Sequence, residues 1–293
     1  MTLLTLNLYF EMNYDQEKYK SMAIASQQEF TDAIPGMYAP LKEYVTKVIP
    51  LMLEHAWQQK RKNNTSTFEE LLYSGWICRL ITLDNRVLNR DEQNQIHGWP
   101  ELREYLIKCL DACKDETQFP AMLDSCMKCI QPILESRFEE NYRFPKRRFH
   151  CWWYTIHDDN THLALHLINA YQPESPFNQL NHFLATMLQA VEHACATYPN
   201  IRIVSCGSWL NQLPKFQQLW PDSFKQNQKV LNETGGFGPG AWGQYMTTNG
   251  GFSEAKATIL RTTGRHPFAL TEAKSPVVEV IAHLKKLISR QGV

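Results

Sequence analysis

At Phe149 the spacing of apolar residues changes from about 3.6 to two, and this change limits the fold more than any other feature of the chain. Phe149–His157 and His162–Tyr171 are rich in aromatic and aliphatic residues and flank Asp158-Asp159-Asn160-Thr161, a turn-forming tetrad. Pairing His157 with His162 sets Ile156 against Leu163, Tyr154 against Leu165 and Trp152 against Leu167. These six residues make one apolar face, and a slip of one position would turn all of it to water, so burial specifies the register. The other face then carries His157 beside His162, Thr155 beside Ala164 and Trp153 beside His166.

Beyond the hairpin, Leu180, Phe183, Leu184, Met187, Leu188, Val191 and Ala194 fall at helical spacing, and Ile201–Cys206 reads as a buried strand. A strand, a helix of about twenty residues and a second strand form a βαβ unit, whose crossover makes its strands parallel. Ligands of open α/β sheets bind beyond the carboxyl ends of such strands. That rule points at Asn169-Ala170-Tyr171 and at Cys206-Gly207-Ser208-Trp209.

The first half is helical in pattern. Leu41, Tyr44, Val45, Val48, Met52, Leu53 and Ala56 share one face, with Pro50 predicting a kink or break. Ser66 and Glu69 match a capping box, and two further helices are predicted over 100–114 and 120–138. Leu4, Leu6, Leu8 and Phe10 alternate as a short strand would, and 276–289 reads as an amphipathic helix. The expected fold is α+β: an all-helical domain over 1–145, then a mixed-sheet α/β domain over 146–293.

Thirty basic and thirty acidic residues in a chain of 293 leave no net charge, which argues against gripping a nucleic-acid backbone. The basic triplets Lys60-Arg61-Lys62 and Lys146-Arg147-Arg148 read as a solvated helix end and a linker. No segment has the roughly 18–20 apolar residues of a membrane span, and the apolar start lacks a basic leader. Eight cysteines without that leader suggest thiols in a reducing, cytoplasmic setting. A small-molecule substrate is the expected partner, with neither nucleic acid nor membrane.

Several groups of residues carry possible chemistry. Cys109, Cys113, Cys126 and Cys129 could face each other across a helical hairpin as a zinc site, but each lies in an apolar stripe, and core packing is the expectation. His157 and His162 are the alternative metal ligands, whereas His162 and His166 stand roughly 13 Å apart along a strand and cannot share an ion. Cys206 and Ser208, with Gly207 between them and His166 on the next strand, could supply a nucleophile. Gly236, Gly238, Gly240, Trp242 and Gln244 lie in a glycine-dense stretch that permits close backbone approach to a ligand. Arg261 and Arg265 are candidate carboxylate or phosphate partners.

The run Leu165–Tyr171 with Pro173, Ser175-Pro176-Phe177, Ser208-Trp209-Leu210-Asn211 and Trp242-Gly243-Gln244 resembles a bacterial family with no assigned activity. In the order of its parts the chain is also similar to two-domain GNAT-like acyltransferases: a helical half, antiparallel strands, a long helix, then a strand ending in Cys206-Gly207-Ser208-Trp209-Leu210. That resemblance implies parallel strands that splay apart to admit acyl-coenzyme A or another acyl-thioester, and direct attack on it by an amine. Within it Tyr171 would serve as proton donor and His166 as base, with Asn169 and Ser208 orienting substrate and Trp209 as a ligand contact. The family's glycine-rich pyrophosphate loop has no counterpart, because the position reads Gln172-Pro-Glu-Ser-Pro-Phe-Asn-Gln179. Two other classes stand beside this one: a metal-assisted enzyme using His157 and His162, and an interaction module anchored by Trp99 and Trp220.

Overall fold

The computed structural model describes residues 41–62, 68, 72, 76–82, 90–139, 149–157, 160–232 and 239–291. The strand expected over Leu4–Phe10, the capping box at Ser66 and Glu69, the basic triplet at 146–148, Gly236 and Gly238 lie outside these residues.

The protein is mixed α/β, with helices built around a five-stranded mixed sheet. Residues 41–62 are helical throughout (α1), so Pro50 does not break the helix as the sequence suggested. Val48, Ile49, Leu51, Met52 and Leu53 are all buried around it. Their packing outweighs the roughly 3 kcal/mol that an internal proline costs. Helices Trp99–Ala112 (α2) and Phe119–Glu139 (α3) follow and pack together, close to the predicted bounds.

Strands β1 (Trp152–His157) and β2 (His162–Leu167) pair antiparallel in the predicted register, His157 with His162 and Trp152 with Leu167. Helix α4 (Leu180–Thr197) leads to β3 (Ile203–Ser208), which runs parallel to β2. Strand β4 (Lys229–Asn232), helix α5 (Glu254–Thr263), strand β5 (Leu270–Pro276) and helix α6 (Val277–Gln291) complete the order, and the sheet runs β1-β2-β3-β5-β4.

Two cores result. One face of the sheet, with Trp152, Leu163, Leu165, Val204, Cys206 and Ala273, is covered by α4 and α6. The second core lies among the helices and includes residues from both ends of the chain. Ala241, Trp242, Tyr245, Phe252, Ala257 and Leu260 pack with Tyr44, Val48, Met52, Leu106 and Ile130. The Tyr44 hydroxyl donates to the Trp242 carbonyl at 3.1 Å, joining the two segments.

Trp99 and Trp220, expected as exposed anchors, are each 1% exposed. Trp99 belongs to the helical core, and Trp220 stacks on Phe224 with ring centres 3.9 Å apart in the sheet core. Long-range packing has taken both out of solvent. Among the described residues no helix is long and apolar enough to cross a membrane.

Candidate functional site at the carboxyl ends of two parallel strands

The ladder between β2 and β3 has three rungs, His162–Ile203, Leu163–Val204 and Ala164–Ser205. Beyond it β2 continues to Leu167 against β1, and β3 continues to Ser208 against β5. The carboxyl-terminal halves of the two strands therefore leave their facing N–H and C=O groups unmatched to each other. Backbone groups in such a place require other partners. An extended ligand bearing amides can supply them.

Asn169 organises the end of β2. Its Nδ2 donates to the carbonyls of Glu174 at 2.8 Å and Thr248 at 3.2 Å, while its Oδ1 accepts the Tyr171 N–H at 2.9 Å. The Tyr171 hydroxyl lies 2.9 Å from Nδ1 of His182, in the first turn of α4. Its ring packs on that of His150 at 4.3 Å. His150 is buried, and burial together with neighbouring His182 lowers its pKa to about 4, so it is held neutral.

At the end of β3, Ser208 caps the following turn by accepting the Leu210 N–H at 3.1 Å. Trp209 stacks on Phe268 at 5.6 Å, and the Lys256 ammonium sits 4.8 Å above the Trp209 ring. Lys256 also donates to the Gln244 carbonyl at 2.6 Å, and burial lowers its pKa. Gly240 approaches closely here, since a Cβ on it would stand 3.0 Å from Leu270 Cδ1 and 3.4 Å from the Gly207 carbonyl oxygen.

Cys206 points the other way, into the core beneath the sheet. Burial, aided by the charge of Glu272, pushes its thiol up to about 12, far from the thiolate a nucleophile needs. On the opposite, polar face, Thr155 Oγ1 lies 2.9 Å from His166 Nε2 and 3.0 Å from His157 Nε2. His162 Nε2 lies 2.7 Å from Ser205 Oγ, and Trp153 stacks on His166 at 5.1 Å. The rings of His157 and His162 are 6.2 Å apart, each nitrogen Nε2 already beside a hydroxyl.

Asn169 and Tyr171 thus stand at the end of β2 and Ser208 and Trp209 at the end of β3, with His166 on the polar face of β2. Other candidates have different surroundings. Trp242 and Gln244 are fully buried; Gln244 pins residue 268 by accepting its N–H at 3.0 Å and donating to its carbonyl at 3.2 Å. Arg261 is paired with Glu54 of α1 at 2.9 Å and Glu254 at 3.6 Å, while Arg265 is exposed. The Cys126 thiol is buried and pushed up to about 12 by burial and its neighbouring thiols. Among the described residues no three His, Cys, Asp or Glu side chains come close enough to hold a metal ion. A cleft of about 380 Å³ lies elsewhere, among the helices, bordered by Ile81, His97, Trp99 and Ser136.

His150, His182 and Lys256 were not among the sequence candidates. His182 and Lys256 carry no local signal, because each sits in an ordinary amphipathic helix. No family model, no curated protein and no solved structure matches this chain.

Proposed function

We propose that this protein is a small-molecule acyltransferase of GNAT-like architecture, moving an acyl group from a thioester to a small amine or amino acid. The observation that carries the reading is the parting of β2 from β3 after Ala164 and Ser205, beyond which β2 leads to Asn169 and Tyr171 and β3 to Ser208 and Trp209. A thioester arm lying in that opening would bond the facing backbone groups, as an added strand bonds a sheet edge. The acyl carbon would then lie near the strand ends.

In the reaction the amine nitrogen attacks the acyl carbon, a C–N bond forms and the C–S bond breaks. The proton lost by the amine goes to His166, and the departing thiolate takes one from the Tyr171 hydroxyl. His182 holds that hydroxyl at 2.9 Å, and Asn169 fixes the loop that carries it. Ser208 and Trp209 border the acceptor side. The thiol of Cys206 has no part in the step, since direct attack needs no acyl-enzyme. A thioester without a nucleotide suits residues 172–179 as well as acyl-coenzyme A does, because no glycine-rich loop is present there.

The test is thermal unfolding of the full chain with acetyl-coenzyme A, an acetylated pantetheine and a short acetyl thioester. A ligand of the folded state at a hundred times its Kd stabilises by about 2.7 kcal/mol. A rise in Tm with any of the three supports the reading. No rise with any, at millimolar concentration, removes it.

A further inference from the structure

Thr155 stands between two imidazoles on the polar face, 2.9 Å from His166 Nε2 and 3.0 Å from His157 Nε2. A hydroxyl has one proton to give and two lone pairs, so at most one of these ring nitrogens accepts from it and at least one carries hydrogen. A continuous chain through the hydroxyl forms when the two rings differ at Nε2, one carrying hydrogen and the other a lone pair. We infer that Thr155 couples His166 to His157 as a proton relay, leading from the strand-end opening to the exposed tip of the β1–β2 hairpin.

Chemistry sets the direction. To receive a proton at Nδ1, His166 must carry its hydrogen on Nε2 and donate it to Thr155. The Thr155 hydroxyl then donates to His157 Nε2, and the hydrogen of His157 sits on Nδ1. When His166 gains a proton at Nδ1, its Nε2 proton passes to Thr155 and the hydroxyl proton passes to His157. His157, which is exposed, releases its Nδ1 proton to water. One proton leaves the site, one enters solvent, and both tautomers are reversed. Exchange with water restores them between turnovers. His162 lies beside this path, but its Nε2 is held at 2.7 Å from Ser205.

The amine as proton source rests on the acyltransferase reading; the coupled tautomers do not. Nitrogen-15 NMR of the ring nitrogens in the full chain reads them directly. The expected result is hydrogen on Nε2 of His166 and on Nδ1 of His157. Thr155→Val keeps the shape without the hydroxyl and should let each ring drift to a mixture, while Thr155→Ser should keep the pairing. Identical tautomers in the wild type, or spectra unmoved by Thr155→Val, would overturn the relay. With acetyl thioester and an amine acceptor, Thr155→Val should lower kcat roughly tenfold or more with little change in KM. A wild-type chain with coupled tautomers that acylates no amine sinks the acyltransferase reading alone.

Discussion

The two faces of the sheet are made by alternate residues of the same strands, yet they do opposite things. Trp152, Leu163, Leu165, Val204 and Cys206 are packed under α4 and α6, while on the other face half-buried Thr155, His162 and His166 and exposed His157 bond to hydroxyls or imidazoles, with Trp153 stacked on His166. The strand period of two lets one face hold the sheet in place and leaves the other lined with hydroxyl and imidazole groups. The difference teaches that core packing and the proposed proton transfer are separated here by a single residue step, and substitutions one position apart should separate them too.

The largest effect should come from adjacent tryptophans. Trp152 is fully buried, stacks on Phe183 at 4.9 Å and donates its indole N–H to the Phe183 carbonyl at 3.1 Å. Trp152→Ala should cost about 3–5 kcal/mol in urea unfolding. Trp153→Ala, on the half-buried face, should cost clearly less. Equal losses would erase the contrast.

Acid should act on the apolar side as well. His150 and, in the helical core, His55 each have a folded pKa of about 4, depressed first by burial, against 6.5 for an ordinary histidine. The unfolded chain takes up protons first as the pH falls, so their stabilising effect is complete above about 6.5 and declines towards 4. The loss should be visible in urea midpoints over that window, and His55→Phe should flatten the curve. An unchanged slope would mean that His55 titrates alike in both states.

Cys206 sharpens the comparison chemically. Its thiol should resist alkylation at pH 8 in folded protein and react on unfolding, and Cys206→Ser should cost about 1–3 kcal/mol by burying a polar hydroxyl. Rapid labelling of the folded chain at Cys206 would contradict its place beneath the sheet. The smallest structural change should be Tyr171→Phe, which loses one half-exposed hydrogen bond to His182 and about 1 kcal/mol or less. In an acyl-transfer assay it should lower turnover; unchanged turnover would take Tyr171 out of the proposed step.

Much of the sheet was legible because alternation leaves no freedom: the pairing of His157 with His162 follows from where Ile156, Tyr154 and Trp152 must go. The crossover that makes β2 and β3 parallel was legible for a similar reason. The point where they part was not, since Leu165 and Cys206 read as strand whether or not they face each other. Nor could local pattern place Trp242 and Gln244. Their glycine-rich setting suggested a loop open to ligand, but the partners that bury them, Tyr44 and Phe268, are distant or unmarked in sequence. Lys256 and His182 became visible only through Trp209 and Tyr171, their neighbours in space.

The bond from Tyr44 to Trp242 spans 198 positions, and its consequence concerns synthesis. At about 5–20 residues per second, the ribosome completes Trp242 roughly 10–40 s after Tyr44. Throughout that interval Val48 and Met52 lack the aromatic residues that close their core. The nascent helices must wait, and a chaperone that binds apolar helical surfaces would find its longest opportunity on the half of the protein that is made first.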